Sequence, residues 1–80
     1  MTDSLWPSGM KRTKQRAAVL DILEHADIPL SAMEIHARVG HGDTPVWLST
    51  VYRILELFTE KGVVIKTTVL DGDKAYYERN

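Results

Sequence analysis

At Gly62 the apolar residues of this chain stop recurring at helical spacing, and that change restricts the fold more than any other feature of the sequence. Beyond it, Val63 to Leu70 is rich in Val, Ile and Thr, then comes Asp71-Gly72, then Lys74 to Glu78 with Tyr76 and Tyr77. β-Branched and aromatic runs on either side of Asp-Gly predict a two-stranded hairpin. Whatever precedes Gly62 must therefore supply the layer on which this ribbon rests.

Three helices are predicted there. Thr13 is a suitable N-cap, and Val19, Leu20, Ile22, Leu23 and Ala26 lay one apolar stripe along a first helix ending near His25. Ile28-Pro29-Leu30 imposes an extended step, after which Ser31-Ala32-Met33-Glu34 has the spacing of a capping box, with Leu30 and Ile35 placed to close a hydrophobic staple. Ile35 and Val39 carry this second helix to Gly40, where a positive φ would make a natural stop. His41 to Trp47 reads as a polar, turn-rich connection, and a third helix is expected from Ser49 to Gly62. Val51, Ile54, Leu55 and Phe58 give it one apolar face, while Ser49, Arg53, Glu56 and Glu60 fall opposite. Three short helices followed by a ribbon make an α+β fold, the winged helix-turn-helix, with the hairpin as the wing. The expected organisation is a flexible arm over residues 1–10 and one domain over 11–80.

Composition narrows the function classes. Eighty residues, 44% of them apolar, suffice for one small domain. Without cysteine there is no disulfide framework, no thiol nucleophile and no Cys-type zinc site. No apolar run approaches a membrane span and the start has no apolar signal core, so the expectation is a cytoplasmic chain with no membrane partner. No Ser-His-Asp set, glycine-rich phosphate loop or paired His at metal spacing is present, which argues against an enzyme.

The net charge is −1, but the cations are unevenly placed. Lys11, Arg12, Lys14 and Arg16 stand at the start of the first helix, whereas Asp21, Glu24, Asp27, Glu34 and Asp43 dominate the next segment. Cations at a helix N-terminus oppose the macrodipole by a few tenths of a kcal/mol each, so folding does not benefit; a phosphate partner would explain them. The first turns of helix three offer Ser49, Thr50, Tyr52 and Arg53. Hydroxyls there can bond phosphate oxygens, Arg53 can fork onto guanine or phosphate, and Tyr52 can press on a thymine methyl. Ser49 also reads simply as an N-cap, and Tyr52 as a half-buried flank of the core.

These segments carry a resemblance. Leu48-Ser49-Thr50-Val51-Tyr52-Arg53-Ile54-Leu55-Glu56-Leu57 followed by Gly62-Val63-Val64 resembles the recognition helix of the ferric uptake regulator family. Arg12-Thr13-Lys14-Gln15-Arg16 with Val19-Leu20, and Leu30-Ser31-Ala32-Met33-Glu34-Ile35, resemble that family's first and second helices, so that the likeness runs over roughly 11–78. The resemblance implies sequence-specific binding of double-stranded DNA by part of a metal-responsive transcriptional repressor. It makes Tyr52 a base contact, Arg53 a neighbouring DNA contact, Lys11 a minor-groove residue and Arg16 a phosphate contact. It also implies a homodimer built through a further domain, expected to be absent from this chain, and zinc, iron or manganese as regulatory metal. Glu78 then occupies the place of a metal-binding carboxylate whose other ligands lie in the absent half; no cofactor is expected in these 80 residues alone. Pro29 stands where many members have a further histidine ligand, and His25, His36 and His41 read as surface or boundary groups. The rival reading is a winged helix used for protein contact, which would favour an apolar face on helix three.

Overall fold

A computed structural model describes residues 6–41, 44–69 and 74–80. Their order is α1 (Lys14–His25), α2 (Ala32–Val39), α3 (Leu48–Glu60), β1 (Val64–Val69) and β2 (Lys74–Arg79). The two strands pair antiparallel from Val64 opposite Arg79 to Val69 opposite Lys74. The expected turn at Asp71-Gly72 lies outside the described residues, as do Gly42 and Asp43 of the connection before α3.

Local chemistry accounts for the first two helix starts. The Thr13 hydroxyl accepts from the Arg16 amide at 3.1 Å. At α2 the predicted box is closed in both directions: the Glu34 amide donates to Ser31 Oγ at 3.2 Å, and the Ser31 amide donates to Glu34 Oε1 at 2.9 Å. Those bonds favour the ionised carboxylate, so the Ser31 amide and then the Ser31 hydroxyl hold Glu34 below its ordinary range near 4.5.

Two expected boundaries move. Helix α3 begins at Leu48 and its N-cap is Trp47, which makes no side-chain cap bond, so Ser49 is not the cap. Val46, just upstream, is buried in the core, and Leu48 is half-buried, so the helix starts where the chain leaves the core. Gly40 does end α2, but at φ −61°, in the right-handed region, where its amide reaches His36 and Arg38 carbonyls. The left-handed stop is instead at Gly62, with φ +74°. There the Gly62 amide donates to Thr59 O at 3.1 Å and the Val63 amide to Phe58 O at 2.9 Å, the pairing of a Schellman end.

All three helices and both strands contribute to one core. Phe58, Leu30, Ile35, Leu55, Val19 and Val51 are its largest fully buried side chains, and no polar or charged residue is buried among the described residues. Leu30 does more than fill space, because it trades backbone hydrogen bonds of 2.9 and 2.7 Å with Tyr77 and forms a one-residue bridge beside β2. At the far end of β2, Arg79 donates to Val63 O at 2.8 Å and lies 3.5 Å from Glu24. The ribbon is thus fixed at its base to α1, to the end of α3 and to the step before α2.

The boundary expected at Lys11 runs through packed residues. Met10 is only 8% exposed within the core. Trp6 donates its indole N–H to Met10 O at 2.7 Å and meets Phe58 edge-on at 6.2 Å between ring centroids. The Arg12 guanidinium sits 5.7 Å from the Trp6 ring centre, in cation–π range. The first five residues lie outside the described set.

Candidate nucleic-acid interface

Helix α3 divides its residues cleanly between core and solvent. Val51, Ile54, Leu55 and Phe58 are buried on one face, while Ser49, Tyr52, Arg53, Glu56 and Glu60 are exposed on the other. The Tyr52 side chain, 49% exposed, is free to meet a partner while its neighbour Val51 holds the backbone in the core. Thr50 is half-buried. A helix anchored so fully on one side presents a stiff polar ridge on the other, which is what groove reading demands.

Each flank of that ridge is a cleft with distinct chemistry. Toward α1, Arg53 and Thr50 share a cleft with Thr13, Gln15 and Arg16. The Arg16 guanidinium is oriented there by donating to Lys11 O at 2.8 Å. Gln15 Nε2 contacts Pro45 O at 3.4 Å, tying the first turn of α1 to the segment that leads into α3. Toward the wing, Tyr52 and Glu56 share a cleft with Lys66 and Tyr77. Burial raises the Tyr77 phenol above its ordinary value of 10.0, with Tyr52 and Glu56 adding to the effect, so it stays neutral near pH 7. Tyr52 also lines a second cleft together with Met33 of α2 and with Lys74 and Tyr76 of β2.

The sequence-predicted residues therefore separate into groups. Arg16, Thr50 and Arg53 come together in one cleft, and Tyr52 lies across the ridge on the wing side. Lys14 points elsewhere, into a cleft shared with Trp6, Arg12, Asp21 and Glu24. Lys11 is exposed beside Arg16. Sequence reasoning missed Gln15 as the brace between α1 and α3, and missed the wing lysines Lys66 and Lys74. Nothing local marks the brace, which joins residues distant along the chain; the lysines were visible as cations within the predicted ribbon.

The groups expected to bear on metal do not converge. Glu78 is exposed on β2, with Ile65 as its register partner, and Pro29 is exposed ahead of α2. His25 faces Asp21, whose backbone carbonyl at 2.8 Å and carboxylate at 3.3 Å raise the imidazole above its ordinary value near 6.5. Among the described residues no three His, Cys, Asp or Glu side chains gather into a group able to hold a metal ion, so these residues do not fit a metal on their own.

Comparison with known proteins agrees with this geometry. Residues 7–80 match the ferric uptake regulator family. The ferric uptake regulation protein of Bacillus subtilis is 40% identical over 73 residues, which are 90% of this chain and 49% of that protein. The zinc uptake regulation protein of Mycobacterium tuberculosis is 33% identical over 69 residues, 86% of this chain and 53% of that protein. Among solved structures, the Vibrio cholerae ferric uptake regulator superposes with a TM-score of 0.87 at 28% identity, covering 99% of this chain and 60% of that one. A manganese uptake regulator superposes at 0.82 with 30% identity, covering 90% of this chain and 52% of that one. The chain spans about half the length of the curated relatives it matches. With its three helices and wing in the arrangement those structures share, this chain belongs to the ferric uptake regulator family.

Proposed function

We propose that this chain binds duplex DNA sequence-specifically by placing α3 in the major groove, as the DNA-binding unit of a metal-responsive transcriptional repressor. The observation that carries the reading is the polar ridge of α3, rigidly backed by core and flanked by Arg16 on one side and the wing on the other. In this reading Tyr52 presses on a thymine methyl, Arg53 forks onto guanine or a phosphate, and the Ser49 and Thr50 hydroxyls bond phosphate oxygens. Lys11 enters the minor groove, and Lys14 and Arg16 neutralise phosphates. Arg16 spends one N–H on Lys11 O and keeps the rest of its fork for an anion. In a protein of the relatives' length, acting in the cytoplasm, zinc, iron or manganese would regulate a homodimer, with Glu78 joining ligands supplied from beyond this chain.

The test is equilibrium binding to a selected duplex site across a salt series. Affinity should fall steeply as salt rises, because binding releases counterions from the phosphates and the entropy gained by that release shrinks as the bulk salt concentration grows. Lys11→Gln and Arg16→Gln should each weaken specific and nonspecific duplexes alike and lower the salt slope by about one unit. Binding that ignores salt, or prefers no sequence, would overturn the reading.

A further inference from the structure

We propose that Trp47 is a DNA-contacting residue, its indole lying against the sugar-phosphate backbone beside the start of α3. The inference rests on the DNA-binding reading above and adds a residue to it. Trp47 is 81% exposed, more than any other large hydrophobic side chain among the described residues. Tryptophan is usually well covered in folded domains, so such exposure calls for a reason.

Folding does not supply that reason. Trp47 holds the N-cap position of α3 and makes no cap bond, whereas Thr13 and Ser31 cap α1 and α2 with their hydroxyls. Ser, Thr, Asp or Asn at this position would stabilise the helix; tryptophan forgoes that stabilisation. Its backbone is nonetheless well held. Val46 is buried on one side, Leu48 is half-buried on the other, and Trp47 itself is extended at φ −69°, ψ 150°. A rigid mount carrying an uncovered ring is suited to contact rather than to packing.

Its surroundings indicate what it meets. The contact from Gln15 to Pro45 O places the first turn of α1, which carries Arg16, against the segment that bears Trp47. Ser49 and Thr50 follow within the same turn of α3. The other exposed large hydrophobics, Ile28, Met33, Tyr52, Ile65 and Val69, belong to other elements or to the ridge itself. A single exposed ring, on a segment braced to the turn that carries Arg16 and beside the Ser49 and Thr50 hydroxyls, matches a polyanion better than an apolar protein surface, which needs a contiguous patch. Deoxyribose offers an apolar edge for the ring face, and a phosphate oxygen accepts from the indole N–H.

Trp47→Ser separates the two roles because it should move stability and binding in opposite directions. The new hydroxyl caps α3, and the melting temperature should rise by about 4 °C. Affinity should fall about tenfold, equally for the selected site and for unrelated duplex, since a backbone contact reads no sequence. Trp47→Phe keeps a ring and should fall less. In a Trp6→Phe background, the remaining Trp47 emission should shift or quench as duplex is added. Undiminished affinity of Trp47→Ser, or unchanged Trp47 emission on a duplex shown by anisotropy to be bound, would overturn the proposal and leave the binding reading standing. If the unaltered protein binds no duplex, while its melting curve shows it folded, the binding reading itself fails and takes this one with it.

Discussion

Helices α2 and α3 begin in opposite ways. The first is closed by its own side chains, Ser31 and Glu34 satisfying each other's backbone amides, and the second opens on an exposed tryptophan that caps nothing. Their far ends reverse the contrast, since α3 finishes in a Schellman pairing at Gly62 while α2 tapers off at a right-handed Gly40. Closure appears where the chain needs to hold its shape. The one open start is that of the helix whose outer ridge carries Ser49, Tyr52 and Arg53.

The largest expected effect attacks the open side directly. Tyr52→Ala and Arg53→Ala should each reduce binding to a selected duplex by about 1–3 kcal/mol, with thermal melting essentially unchanged because both side chains are exposed. A loss of fold in either variant would show that the ridge serves packing, and the contrast between the helices would dissolve. Next come the far ends. Gly62→Ala forces a Cβ into φ +74° and should cost about 1–2 kcal/mol in denaturant unfolding, although no neighbouring atom stands in its way. Gly40→Ala sits at an ordinary helical φ, with its nearest contact, Ala37 O, at 3.4 Å, and should be neutral to slightly stabilising. Equal losses at the two glycines would remove the distinction.

The smallest effects compare the two serines. Ser31→Ala should cost about 1 kcal/mol of stability, whereas Ser49→Ala should stay within about 0.5 kcal/mol, because only Ser31 caps a helix. Acid sharpens this further. The folded pKa of Glu34 is depressed, so its contribution is complete above the ordinary carboxylate range near 4.5 and is lost as pH falls through the folded value. Glu34→Gln should flatten that part of the stability profile, measured by melting between neutral and acid pH. A profile unchanged by the substitution would mean the box does not couple to protonation.

What was legible in the sequence had local causes. The capping box joins residues three apart, and the apolar stripes of α1 and α3 repeat at the pitch of the helix itself, so both could be read directly. The ridge was legible for the same reason, as the complement of the stripe on α3. Gly40 misled because glycine accepts either sign of φ, and only the surrounding fold selects one. Ser49 misled because it has a capping side chain, whereas the helix starts one residue earlier, at Leu48 beside the buried Val46. Trp6 and Met10 lay in a stretch without helical period; Trp6 packs on Phe58, far along the chain, and Met10 joins the same core. The cleft that unites Arg16 with Arg53 is equally remote from any local pattern.

The bridge between Leu30 and Tyr77 has a mechanical consequence. Its two hydrogen bonds fasten the residue just before Ser31 to the last strand, so the base of the wing and the start of α2 must tilt together. A force applied at the ribbon by a bound duplex would therefore be passed through a backbone clamp into the helix pair, not absorbed by a free hinge. The clamp also joins early and late parts of the chain, so the amides of Leu30 and Tyr77 should exchange with solvent only when the whole domain opens.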